Sequence, residues 1–173
     1  MNSFVLSMVA YAKLVVTDDV AEGFEYARRA IAINATNPFA WLADCTSRLY
    51  LGRLDEAHQS MLRACRIGQL SPYKFWWDTG AALTATAAGD LPLAERLADR
   101  ASTFSTGFRP PLRYLIALKL RMGDHEGAYE DLLRLRELEP SFQPEQLVDD
   151  PSYPSATLRR AETIGLAALR NLK

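Results

Sequence analysis

The amino-acid sequence predicts an all-α chain, a superhelical stack of about four helix-turn-helix units followed by a closing helix. Three observations carry this. A motif recurs with a period near 34 residues, apolar residues within each copy keep the three-and-four spacing of one helix face, and the period-two alternation of strands is absent. The repeat appears when "GRLDEAHQSMLRA" (Gly52 to Ala64), "GDLPLAERLADRA" (Gly89 to Ala101) and "GDHEGAYEDLLRL" (Gly123 to Leu135) are aligned. Each opens on Gly, reaches Ala57, Ala94 or Ala128 five residues later, and places Met61, Ala98 or Leu132 four further on. A weaker copy, "DDVAEGFEYARRA" (Asp18 to Ala30), has Gly23 where the others have Ala, and the intervals from Gly23 are then 34, 37 and 34.

Local signals divide each copy into two helices, expected at about 3–16, 19–33, 38–51, 54–68, 72–88, 91–105, 110–122 and 125–138. Asn37-Pro38 and Ser71-Pro72 pair a good N-cap residue with a proline that the first helical turn tolerates, and so start the first helices of units two and three. Gly52, Gly89 and Gly123 can take the left-handed conformation that closes a first helix, with Asp90 and Asp124 next as caps for second helices. In the last unit Ala128, Leu132, Leu135 and Leu138 form one stripe expected to face a neighbour. The alanines at 57, 94 and 128 are small because a second helix must approach its own first helix closely there. The units are about 4–36, 37–70, 71–108 and 109–140. From 141 to 154 an acidic, proline-rich stretch should be an irregular connection. A helix over 155–173 should then cap the stack with Leu158, Ala161, Gly165, Ala168, Leu169 and Leu172. The first helix starts abruptly at Phe4, which suggests either more chain upstream or another cover for unit one.

Composition narrows the function. The chain has 173 residues, 49% of them hydrophobic, and 20 basic against 21 acidic residues, a balance that offers no footprint for nucleic acid or anionic lipid as a main partner. Cys45 and Cys65 are too few for a disulfide framework and wrongly spaced for a metal site, so a cytoplasmic setting is expected. The apolar run from Phe4 to Val16 contains Lys13 and falls short of the roughly 20 residues that span a bilayer. Convergent catalytic groups are also missing from the pattern. His58 and His125 lie early in second helices beside Glu56 and Glu126, as solvated surface; Cys45 and Cys65 read as packing residues; no phosphate loop, dinucleotide fingerprint or metal cluster occurs. No enzyme activity, metal or cofactor is therefore expected. Arg28 and Arg159 each have a glutamate three residues away, Glu25 and Glu162, and should pair with it on the surface. Of the adjacent Trp76 and Trp77 one must be more exposed, since neighbours on a helix differ by about 100°.

Trp41, Gly52, Ala57, Ala64, Gly89, Ala94, Ala101, Gly123, Ala128 and Pro140 resemble the signature of the tetratricopeptide repeat, over residues 4 to 140 or so. Unit one departs from it in lacking the turn glycine, and unit three in having Asp78 where unit two has Trp41. The resemblance implies a right-handed superhelix and a non-catalytic scaffold for protein–protein interaction. More narrowly, "NPFAWLADCTSRLYLGRLDEA" and "LRELEPSFQPEQLVDDPSYP" are similar to the C-terminal repeat region of bacterial class III adenylate cyclases and of some winged-helix transcriptional activators, which implies a regulatory part of a bacterial signalling protein. The competing readings are a dimerisation module of a larger protein and a small enzyme on a helical frame. The family uses the first helix of each unit as its concave wall, which by resemblance assigns partner binding to Phe39, Leu42, Thr46 and Leu49, to Trp76, Thr79 and Leu83, and to Arg113 and Ala117. Such a wall is mainly apolar, so the partner expected is an apolar or amphipathic helix, from the same polypeptide, a second copy (a homodimer) or another protein.

Overall fold

The computed structural model describes residues 2–17 and 19–142, and among them there are eight helices and no strand. They are α1 (Ser3–Val15), α2 (Val20–Ile33), α3 (Pro38–Tyr50), α4 (Leu54–Gly68), α5 (Lys74–Ala88), α6 (Leu91–Phe104), α7 (Pro110–Met122) and α8 (His125–Leu138). The expected irregular connection beyond Phe142 and the capping helix lie outside the described residues.

The caps explain where the helices begin. Asn37 accepts from the Phe39 amide at 3.1 Å with Pro38 next, and Asp19, Asp90 and Asp124 accept from the amides three residues on at 3.0, 3.1 and 3.0 Å. Each side chain satisfies a donor that the first helical turn would otherwise leave orphaned. Gly52, Gly89 and Gly123 have φ of 72°, 83° and 83°, the left-handed region, and turn each first helix into its second. One start differs from expectation. Ser71-Pro72 does not begin α5; the Ser71 hydroxyl accepts from the Tyr73 amide at 3.1 Å, making a separate turn, and the helix begins at Lys74.

Short connections make successive helices antiparallel. α1, α3, α5 and α7 touch one another in series and form an inner layer, while α2, α4 and α6 each pack between consecutive first helices and α8 packs on α7. Ala57, Ala94 and Ala128 are wholly buried at the crossing of the two helices of their units. At the equivalent Gly23 even a methyl group would come within 2.9 Å of Leu14 Cγ, so unit one closes more tightly and glycine is required. Gly80 plays a like part between units: a Cβ there would fall 2.6 Å from Leu42 Cδ1.

Buried carboxylates lock the pairs from within. Asp44 on α3 accepts from Ser60 on α4 at 2.5 Å and from Arg48 at 2.7 Å. Asp78 on α5 takes both Nε and Nη2 of Arg100 on α6, at 2.8 and 2.5 Å. Asp131 on α8 meets Lys119 of α7 at 2.7 Å and Arg134 at 2.8 Å. Burial opposes the charge on Lys119, but Asp131 outweighs it and holds the ammonium above its usual range. The stripe expected on α8 is interrupted at its end: Ala128, Leu132 and Leu135 are buried, whereas Leu138 is 41% exposed on the last turn, beside the cleft that Arg109 and Arg113 line.

Candidate partner-binding surface

The inner layer holds the residues that the repeat pattern assigns to binding, and the structure sorts them into two groups. Leu42, Thr46, Leu49, Thr79 and Leu83 are buried. The reason is the direct contact of α3 with α1 and α5: Leu42 sits against Gly80 of the next unit, Thr46 donates to the Leu42 carbonyl at 3.0 Å beneath Tyr11, and Thr79 donates to the Phe75 carbonyl at 2.7 Å. These five pack between units and are not open wall. Phe39, Trp76, Arg113 and Ala117 remain partly accessible.

Around Phe39 and Trp76 the fold assembles a run of rings that crosses three units. Phe4 lies edge-on to Phe39 at 5.5 Å, Phe39 meets Trp76 at 6.2 Å and Tyr73 at 5.9 Å, Tyr11 meets Trp76 at 5.9 Å, and Trp76 meets Phe108 at 4.9 Å. Offset and edge-to-face pairs of this kind are individually favourable by about 1 kcal/mol, so the surface is apolar and pre-organised. The partners of Phe39 and Trp76 escaped the sequence reading. Tyr11 shares a repeat position with Cys45 and Ala82, which gives no sign of a binding role, and Phe108 stands in a connection where helical periodicity does not apply.

Trp77 is the buried member of its pair: its indole donates to the Gly68 carbonyl at 3.0 Å. Trp41 is only partly covered; its indole donates to the Ala35 carbonyl at 2.8 Å while the Arg63 guanidinium lies 4.6 Å from the ring centroid. Arg113 is committed to Glu139, donating to both carboxylate oxygens at 2.9 Å, with Arg109 joining at 2.9 Å.

Burial raises the Tyr11 hydroxyl and the Cys45 thiol well above their ordinary ranges, and pushes the Cys65 thiol up to about 11 with help from the neighbouring Asp78 charge, so all three stay protonated near neutrality. His58 and His125 are exposed, and Arg28 pairs with Glu25 at 3.7 Å. Arg159 and Glu162 lie outside the described residues. An open cleft of about 410 Å³ beside Arg109, Arg113 and Phe142 holds charges already joined to Glu139, not a poised acid, base or nucleophile. Among the described residues no group of His, Cys, Asp or Glu could hold a metal ion, and no helix is long and apolar enough to cross a membrane.

No family model matches the chain, and no curated protein matches it in sequence. Solved structures do resemble it. A crystal structure of MamA superposes with a TM-score of 0.60 at 14% identity, over 90% of this chain and 89% of that one. Another MamA structure (AMB-1, P212121) gives 0.54 at 18% identity, over 84% and 78%. PilW, a widely conserved type IV pilus biogenesis factor, gives 0.43 at 16% identity over 98% and 97%. Together with the helix order, the likeness to MamA shows the fold: the chain is an all-α superhelical stack of tetratricopeptide type.

Proposed function

We propose that the chain is a non-catalytic protein-interaction module, and that the ring surface on its inner layer receives an apolar or amphipathic helix. The observation that carries this is the unbroken series from Phe4 through Phe39 and Trp76 to Phe108, which spans three units and keeps aromatic edges accessible. Large, rigid side chains of this type are the usual anchors of interfaces, because they bury much area while losing little conformational freedom. Phe39 and Trp76 are the anchors, Ala117 leaves room beside them, and Arg113 with Glu139 forms a polar margin. The five buried wall residues act indirectly, by holding α1, α3 and α5 in register. Cytoplasmic placement, and membership in a larger bacterial signalling protein of cyclase or activator type, rest on the sequence alone.

Trp76→Glu tests the reading. It puts a charge on the ring surface at a partly exposed position, so the variant should keep the helical circular dichroism of the parent while a captured partner, or a second copy, is lost. Sedimentation across concentration separates the two cases: a mass constant near 19.3 kDa rules out the homodimer. Undiminished capture by folded Trp76→Glu would falsify the site. Leu42→Glu and Thr79→Glu are unsuitable probes, since both positions are buried and would unfold the chain.

A further inference from the structure

The outer layer carries a second pattern, on the edge where one unit hands over to the next. All second helices run the same way, so their C-terminal ends share that edge with the N-terminal ends of the first helices; Ser3 donating to the Ala30 carbonyl at 2.8 Å, and Phe75 stacked on Phe104 at 6.4 Å, tie the two sets together. Counted from Gly23, Ala57, Ala94 and Ala128, the sixth residue onward is arginine in every unit: Arg29, Arg63, Arg100 and Arg134. One turn later, on the same face, stands a large apolar residue in every unit. Ile33 is 57% exposed, Ile67 38%, Phe104 58% and Leu138 41%.

The helix dipole accounts for the sign of the charge but not for the exposed apolar partner. The C-terminal halves of the four second helices (28–33, 62–67, 99–104 and 133–138) hold seven arginines and two carboxylates, whereas the N-terminal halves (18–27, 52–61, 89–98 and 123–132) hold two arginines and 12 carboxylates. On the acidic edge the first helices supply the answering cations, as in Lys13 with Glu22 and Arg48 with Glu56. On the basic edge the balance is open: among the described residues Arg29, Arg63 and Arg66 meet no carboxylate. Two of these guanidiniums are instead held over rings, Arg29 5.2 Å from the Tyr26 centroid and Arg63 4.6 Å from that of Trp41. A guanidinium held over a ring has less side-chain entropy left to lose, which suits bidentate pairing with a carboxylate.

We infer that this edge is a second docking surface, adjoining the ring surface where Phe75 bridges Phe104 to Trp76 and Phe108, and that its occupant is an acidic amphipathic protein segment in which carboxylates alternate with apolar side chains. Charge complementarity selects the acid at Arg29, Arg63 and Arg66, since Arg100 and Arg134 are already held by Asp78 and Asp131, and the apolar residue one turn from each repeat arginine takes the side chain beside it. A flat anionic membrane is the weaker fit, because the arginine and apolar pairs are spread one per unit along a superhelical edge.

The full chain is titrated with a fluorescent acidic peptide of Glu and Leu, with its Lys-for-Glu counterpart, and with phosphatidylcholine vesicles with and without phosphatidylserine. Anisotropy should show binding of the acidic peptide alone, weakened about tenfold or more in Arg29→Glu/Arg66→Glu and by added salt. Ile67→Ser should weaken it with the salt dependence unchanged. Equal binding of the Lys peptide overturns the proposal, as does parental affinity in the folded Arg29→Glu/Arg66→Glu chain, or binding of the phosphatidylserine vesicles without the acidic peptide.

Discussion

Units two and three solve the same packing problem with opposite chemistry. At one repeat position of the first helix, unit two has Trp41 and unit three has Asp78, and in both the arginine at the matching place on the second helix covers it. Arg63 lies over the indole face, and Arg100 grips the carboxylate with two nitrogens. The carboxylate in turn holds the Arg100 guanidinium above its usual range. A guanidinium can do either, being planar, weakly hydrated and permanently charged. The exchange of an aromatic ring for an acid therefore leaves the backbone repeat undisturbed, and what departs from the neighbouring unit at Asp78 is compensated by a residue that keeps its place. The neighbouring Trp77 instead reaches back into the core of unit two, against Gly68, where any side chain would overlap its indole.

The shared frame should give the largest effects. Ala57→Arg and Ala94→Arg place a long cation at the wholly buried crossing in both units, and each should cost about 3–5 kcal/mol, a fall of roughly 10 °C or more in Tm. Equal losses establish a common scaffold; a Tm within two degrees of the parent in either unit would mean that the repeats are not equivalent. The covering arginines should differ. Arg100→Ala leaves the buried Asp78 carboxylate without its partner and should cost about 2–3 kcal/mol, whereas Arg63→Ala removes a ring contact at a more open site and should cost about 1 kcal/mol or less. Urea unfolding of the two variants decides, and similar midpoints would erase the distinction between the units.

The smallest effect is on titration. Cys65 lies under the influence of Asp78, and burial together with that charge pushes its thiol up to about 11 from an ordinary value near 9. A raised thiol pKa favours the folded state while the thiol is protonated. Its contribution is thus complete below about pH 9 and is lost as pH rises from there through about 11. An aromatic disulfide reagent at pH 8 should label native Cys65 slowly, and Asp78→Asn should speed labelling severalfold without exposing Cys45. No change in rate would show that burial alone sets the thiol.

Much of this architecture could be read from residue order. The small residue at each helix crossing, the positive-φ glycines and the capping aspartates act within a few residues of themselves, so the eight helices fall within about two residues of their expected bounds. The start of α5 at Lys74 departs from the sequence pattern because serine can close a turn as readily as it caps a helix. The ladder of arginine and apolar pairs is likewise written in the repeat, although its significance needed their exposure.

What tertiary structure alone decided is how closely the first helices approach one another. Periodicity placed Leu42, Thr46, Leu49, Thr79 and Leu83 on one face, but a face can look onto solvent or onto the next unit, and only the contact of α3 with α1 and α5 turns it inward. The same contact brings Tyr11 to Trp76 across 65 residues of sequence, a pairing that no local pattern encodes. Local chemistry determined the helices and their order, because caps, turns and close crossings are short-range. The accessible surface was left to the stacking of units, because burial is a property of everything that surrounds a residue.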